Sequence, residues 1–312
     1  MFRNKEYVLA VIREGGFSKA AEKLYISQPS LSATVKRIEE KLTVPIFDRT
    51  TNPISLTEVG REYVRYAMEI DRRERDFERY INDRVNLLVG EIKIGGSSLF
   101  SSFLLPSMIA DFNEKYPRIS IKIFENNTKN LMRELSDGNL DIIIENAVID
   151  DENIASSLYT SETILLAVPE AFEINRSLAA YALTVADVRD QKHLEDGCSV
   201  DLEAFSNCPF ILLHSENDTG KRASQLFRKH GFSPNVLFRL DQQMTAYNIA
   251  CRGLGISFIS DTLVKNIDTS PALLYYRLSD PEITRNIYFY RKTNRYNSLA
   301  CQKFLEHNSV KV

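Results

Sequence analysis

The sequence is poor in the residues that build metal and disulfide sites. Its 312 residues include four cysteines, Cys198, Cys208, Cys251 and Cys301, none of them in a CxxC pair. The histidines (His193, His214, His230, His307) are scattered, without the short spacings a zinc site uses. A disulfide framework is not needed, and neither structural zinc nor any other cofactor is expected. No run of about eighteen apolar residues occurs, which argues against a membrane span. The opening Met1-Phe2-Arg3-Asn4-Lys5-Glu6 leads into an amphipathic pattern instead of a signal-peptide core, so a cytoplasmic location without a membrane partner is expected. GxSxG, HExxH and P-loop motifs are missing, and the isolated Gly253-x-Gly255 is more simply a turn; an enzyme is not expected.

Charge is present but uneven. The formal net charge is −3. Through Leu56 nine Lys and Arg stand against six Asp and Glu, and the remainder has 30 against 36. A weakly basic head on an acidic body permits contact with nucleic acid through the head but does not require it.

The head reads as three helices and a hairpin. Residues 4–14 carry Val8, Val11 and Ile12 at helical spacing, with Asn4 as candidate cap and Gly15-Gly16 as stop. Ser18 is the candidate cap of a second helix, whose Ala20 and Ala21 allow a neighbour to approach closely. After a turn at Tyr25-Ile26, Ser27 is placed to cap a third helix with Pro29 in its first turn, where a missing N–H costs nothing. Leu31, Val35, Ile38 and Leu42 form one narrow apolar stripe on it. The opposite side shows Pro29, Ala33, Lys36, Arg37 and Glu40, flanked by Ser30 and Ser32. Small and hydroxyl side chains admit base edges, and Lys36 and Arg37 can reach phosphate or guanine. Residues 46–56 read as a hairpin whose tip is either a DNA-contacting wing or a plain connection. The candidate DNA contacts are therefore Ser18, Ser27, Gln28, Pro29, Ser30, Ser32, Ala33, Lys36, Arg37, Arg49, Thr51 and Asn52.

These residues carry a specific likeness. The run GFSKAAEKLYISQPSLS at 16–32 resembles the helix-turn-helix signature of LysR-type transcriptional regulators, as do Leu42, Pro45-Ile46-Phe47-Asp48-Arg49, Leu56-Thr57 and Gly60. Thr57 can cap a long helix reaching about Leu88, with Val59, Tyr63, Tyr66, Ile70, Phe77 and Tyr80 on a near-heptad seam. The resemblance implies that two such helices pack antiparallel across a dimer. From Gly90 strands alternate with helices, which suggests an open, mainly parallel sheet. Strands are expected at 91–94, 119–124, 140–144, 164–168, 210–213, 236–238, 256–259 and 286–291, with a last helix at 299–305 returning to the first lobe. Leu104-Leu105-Pro106, Phe112, Tyr116-Pro117, Gly138-Asn139-Leu140-Asp141 and Gly253-Leu254-Gly255-Ile256 resemble markers of the family's effector domain. The fold expected is α/β: an N-terminal winged helix-turn-helix (1–58), a long linker helix (59–89), and a two-lobed α/β periplasmic-binding-protein-like effector domain (90–312).

Ligands of such sheets favour the cleft at strand C-terminal ends. Candidate effector contacts there are Ser97, Ser98, Phe100, Asn127, Thr128, Glu145, Asn217, Asp218, Thr219 and Gln242. Hydroxyls at helix ends suit a carboxylate, while Glu145, Asp218 and Asp241 favour an amine, so an amphoteric metabolite such as an amino acid fits both. Residues 171–205 read as a helical insert, with a role at the cleft rim or an oligomer contact left open. The resemblance implies as partners double-stranded DNA, a small-molecule effector and the chain itself, as dimer or tetramer, with RNA polymerase a further candidate. The competing reading is a thiol redox sensor using Cys198 and Cys208, although neither has an adjacent basic residue to favour a thiolate.

Overall fold

Three helices form the head because their apolar stripes face one another: α1 (Lys5–Arg13), α2 (Phe17–Lys23) and α3 (Gln28–Leu42). Val8, Leu9 and Val11 meet Ala20, Ala21, Leu31, Val35 and Ile38 in one buried cluster. The computed structural model describes residues 1–51, 53–85, 89–267 and 272–309. Within α3, Ser27 caps as expected, its hydroxyl accepting from the Ser30 N–H at 3.4 Å, and Pro29 lies in the first turn. Two expected caps are corrected. Asn4 holds the cap position of α1 without a side-chain cap bond, and α2 begins at Phe17, which puts Ser18 inside its first turn. Gly15, at φ +69, turns the chain so that α2 restarts early, and the Phe17 ring packs edge-on against Phe47 at 5.3 Å.

The hairpin is two short antiparallel strands, β1 (Phe47–Asp48) and β2 (Ser55–Leu56), with Phe47 opposite Leu56. Glu39 of α3 anchors it, accepting from the N–H groups of Ile46 (2.8 Å) and Phe47 (3.1 Å) and from Arg49 (3.1 Å). Helix α4 (Glu58–Val85) follows, and the Thr57 hydroxyl accepts from the Gly60 N–H at 2.9 Å. A side chain at Gly60 would collide with the Ile46 carbonyl, which explains glycine at this helix start. The expected helix end near Leu88, and Asn52 at the hairpin tip, lie outside the described residues. Of the α4 seam, Tyr63 is buried and stacks on Phe2 at 4.9 Å, while Val59, Tyr66, Phe77 and Tyr80 are exposed.

The chain divides into two compact units, Met1–Arg84 and Val85–Val312. In the second, lobe 1 holds β3 (Gly90–Gly96), α5 (Ser98–Phe103), α6 (Leu105–Lys115), β4 (Ile119–Glu125), α7 (Thr128–Ser136) and β5 (Ile142–Glu145). Strand β6 (Ile154–Pro169) then carries the chain into lobe 2. There follow α8 (Ile174–Ser177), α9 (Val185–Arg189), β7 (Ser199–Val200), β8 (Pro209–Leu213), α10 (Asp218–Lys229), β9 (Asn235–Leu240), α11 (Gln243–Ala250), β10 (Ile256–Ser260), α12 (Asp261–Asn266) and β11 (Leu273–Leu278). Strand β12 (Thr284–Lys292) returns the chain, and α13 (Leu299–Asn308) seats Ala300, Cys301 and Phe304 in the lobe 1 core.

The sheet is mixed where a mainly parallel one was expected. β4-β3-β5 and β9-β8-β10 are parallel sets, but β12 runs antiparallel to β5 and β6, and β6 antiparallel to β10 and β11. The reason is topological: one strand leaves lobe 1 and the other comes back. β6 is long enough to pair with β12 through Thr163 and with β10 from Ile164 onward.

Residues 171–205 are also corrected. They are helical only in pieces: two short helices, α8 and α9, and three 3-10 turns, interrupted by the short strand β7. Leu183, Val185 and Val188 enter one lobe 2 cluster, and Val200, Leu202 and Phe205 enter the other. β7 pairs with β11, and Leu183 bridges Tyr275, so the segment covers the β11 edge. Among the described residues, none of this segment lines the cavity described below, and no helix is long and apolar enough to cross a membrane.

A side chain at Gly220 would strike the carbonyl oxygens of His214 and Leu213, where α10 starts against β8. Gly220→Ala is expected to cost about 1–3 kcal/mol as an overpacked contact, read as a lower urea midpoint of the full chain. An unchanged midpoint would contradict this close approach.

Candidate functional site

On the head, the exposed face of α3 presents Gln28, Pro29, Ser30, Ala33, Lys36 and Arg37, with Ser27 before it and Ser32 half-buried at its side. Ser18 is exposed on α2. Lys36 makes a long 3.9 Å ion pair with Glu40, both largely exposed, which leaves its ammonium available to a phosphate. The two described wing residues are partly engaged. Arg49 pairs with Glu39 and lies 5.4 Å over the Phe17 ring, and Thr51 donates to Ser55 and to the Asp48 carbonyl. Glu39, which fixes the wing to α3, was not singled out from the sequence; its half-buried position in the helix has no local motif.

In the body, four helices begin around one cavity of about 90 Å³. They follow the C-terminal ends of parallel strands, where the sequence placed the cleft. Helix α5 brings Ser98, Leu99, Ser102 and Phe103, preceded by Ser97, and α7 brings Thr128. Glu145 and Asn146 come from the end of β5. Lobe 2 supplies Asn217, Asp218 and Thr219 at the start of α10 and Gln242, Gln243 and Met244 at the start of α11. Arg285 of β12 completes the wall.

Eight of the ten expected contacts thus share one wall. Two do not. Phe100 is fully buried in the lobe 1 core, one helical step away from the lining residues of α5. Asn127 is exposed and caps α7, its side chain accepting from the Asn130 N–H at 2.9 Å. Asp241 is exposed and outside the lining. Leu99, Ser102, Phe103 and Arg285 were missed.

Arg285 organises the charges. Its side chain is 2 % exposed, and its Nε donates to Glu162 at 2.7 Å. Its Nη1 donates to Asp218 at 2.8 Å and to the Thr219 hydroxyl at 3.0 Å. Glu162 also accepts from Asn146 (3.0 Å), from Thr262 (2.8 Å) and from the Ser260 hydroxyl. Burial pushes the Asp218 carboxyl up, but Arg285 and Arg222 outweigh it, and the group titrates below the ordinary aspartate range. Glu145 differs. Burial pushes its carboxyl up, and the Asn146 N–H, the Thr128 hydroxyl and the more distant Arg285 charge only partly oppose this. Of the two cysteines considered for a redox switch, both are free and half-buried, and burial pushes the Cys208 thiol up, away from thiolate character.

Comparison with known proteins bears on both parts. Residues 2–61 match the bacterial regulatory helix-turn-helix protein family of lysR type, and residues 86–308 match the LysR substrate binding domain. An uncharacterized HTH-type transcriptional regulator of Bacillus subtilis, YcgK, is 28% identical over 301 residues, 96% of this chain and 91% of that one. A full-length OxyR from Pseudomonas aeruginosa superposes with a TM-score of 0.72 at 21% identity, over 99% of this chain and 94% of that one. Full-length CbnR complexed with its target DNA gives 0.66 at 17% identity, covering 98% of each.

The raised Glu145 pKa makes stability depend on pH. The folded chain holds this proton more tightly than the unfolded chain does. The contribution is therefore full below the ordinary glutamate value and lost as pH rises through the folded value. Glu145→Gln removes that loss, so its Tm relative to the wild type should climb as pH is raised across this window. A Tm difference independent of pH would contradict the assignment.

Proposed function

We propose, for a chain that belongs to the LysR family of transcriptional regulators, a ligand-controlled mode of sequence-specific DNA binding. The chain is read as a winged helix-turn-helix at 1–58, a dimerising helix at 59–89 and an effector domain at 90–312. The observation that carries this reading is the union, in one chain, of a hydroxyl-and-cation face on α3 with a cavity of mixed polar and apolar lining where four helices begin. Helix α3 enters the major groove, with Ser27, Gln28, Pro29, Ser30, Ser32 and Ala33 toward base edges and Lys36 and Arg37 toward phosphates or guanine. Ser18, Arg49, Thr51 and Asn52 position the head on the backbone. That CbnR, a fold neighbour, is described on its target DNA supports this placement.

The exposed Val59, Tyr66, Phe77 and Tyr80 on α4 give a second copy of the chain an apolar face to cover. A dimer, or a tetramer built from two, then sets the spacing of two half-sites. A small effector in the cavity favours one arrangement of the lobes, and that bias reaches the heads as altered spacing or DNA bending. The protein works in the cytoplasm, with RNA polymerase as a further partner. A thiol switch at Cys198 and Cys208 gains nothing from their surroundings, since neither lines the cavity and Cys208 is held in its thiol form.

Selection of bound genomic DNA by the full chain yields an operator for fluorescence anisotropy. Ser32→Ala and Lys36→Ala should weaken binding without unfolding the head, and Lys36→Ala should reduce the log–log salt slope by about one. Unchanged affinity in both variants refutes the DNA assignment. Ser98→Phe, which fills the cavity, should abolish any metabolite-induced change in operator affinity. A response preserved in that variant places the effector elsewhere.

A further inference from the structure

The cavity wall bears a buried carboxylate without a counter-ion. Glu145 is 3 % exposed and accepts from the Thr128 hydroxyl and the Asn146 N–H, both at 2.9 Å. Among the described residues no Lys, Arg or His forms an ion pair with it. The other carboxylates here are matched: Glu162 by Arg285, and Asp218 by Arg285 and Arg222 at 2.8 and 2.7 Å. A buried charge lacking a partner is costly, and a cation arriving in the cavity would remove that cost.

A second observation, from another helix, points the same way. Gln243 is 7 % exposed and lines the same cavity. Its Nε2 donates to the Thr219 hydroxyl at 3.4 Å, while its buried Oε1 has no donor. A carboxylate and an amide oxygen on one small cavity both call for N–H groups on the occupant. Ser97, Ser98 and Ser102, on the lobe 1 side, make no side-chain hydrogen bond among the described residues and are free to donate. The cavity is small, about 90 Å³, which favours a small occupant.

We propose that the effector is a small amino acid whose ammonium group is held by Glu145 and the Gln243 Oε1 and whose carboxylate meets the hydroxyls of Ser97 and Ser98. This rests on the ligand-controlled reading above and names the ligand class. Binding is coupled to a proton. The groups acting on Glu145 are Arg285 and Tyr290 from β12 and Asp218 from α10, while α7 contributes only the uncharged Thr128 hydroxyl. The raised pKa means that the free protein keeps a proton on Glu145 to higher pH than an exposed glutamate does. The incoming ammonium favours the carboxylate, so that proton leaves to solvent, and affinity rises with pH until Glu145 is ionised in the free protein.

The test is calorimetry of the full chain against the common L-amino acids, each beside its deaminated carboxylic acid, in two buffers of different ionisation enthalpy. One amino acid should bind, with its deaminated counterpart at least about ten-fold weaker, as expected for loss of a charged hydrogen bond. In the pH range where Glu145 is still protonated in the free protein, binding should release protons, and Glu145→Gln should weaken it by a similar factor and abolish the release. Asp218→Asn should weaken it less and keep the release. Equal or better binding of the deaminated acids, binding without proton release, or no binding by any amino acid overturns the inference. An acid that binds and shifts operator affinity would leave the ligand-controlled reading standing while removing this one.

Discussion

Arg285 and Glu162 face each other on the two strands that carry the chain between the lobes, in register across β12 and β6. Their side chains are 2 % and 1 % exposed, and the Nε–Oε1 distance is 2.7 Å. Taking two charges out of water costs several kcal/mol each on general grounds, and a single contact seldom recovers it. Here the remaining valences are filled from both lobes. Asn146 bonds Glu162 from the end of β5, Ser260 and Thr262 bond it from β10 and α12, and Arg285 bonds Asp218 and Thr219 on α10. The pair therefore does more than join two strands. It ties the crossover to the helix that begins at the cavity, so a ligand touching Asp218 or Thr219 acts on the connection between the lobes.

In this arrangement Thr219 lines the cavity but is already engaged by protein groups. Its hydroxyl already accepts from Arg285 and Gln243. Replacing it would disturb the charge network before it disturbed any effector. Glu145, by contrast, stands outside the network of ion pairs while sharing its cavity. The wall thus separates into a part saturated by protein groups and a part, at Glu145 and the Gln243 Oε1, with hydrogen-bonding capacity unfilled.

Much of the head was legible because its signals are local. The Ser27 cap, Pro29 in the first turn and the stripe of Leu31, Val35 and Ile38 all lie within a dozen residues, and each behaves as its spacing implied. Ser18 misled because a serine after two glycines satisfies the cap pattern whether or not an aromatic just before it, Phe17, starts the helix one step earlier. In the body, the apolar half of β6 was found, but its first half was not: residues 154–161 are mostly polar and all at least partly exposed, and Leu158 is about half exposed. Phe100 was placed at the cleft by proximity to Ser97 and Ser98, yet at roughly 100° per residue a helix turns it to the side away from Ser98 and into the core. Arg285 escaped because its partners lie 123, 67 and 66 residues away, beyond any spacing argument.

The most direct test of the central claim is a double-mutant cycle on Arg285 and Glu162, using Arg285→Met and Glu162→Gln in the full chain and urea unfolding as the readout. Each single change strands a buried group, with a cost of about 3–5 kcal/mol when one partner of a buried pair is removed. The double variant should cost clearly less than the two together, because neither charge is then left alone. Strict additivity would contradict the account, since it would mean that the strands hold the lobes together without this pair.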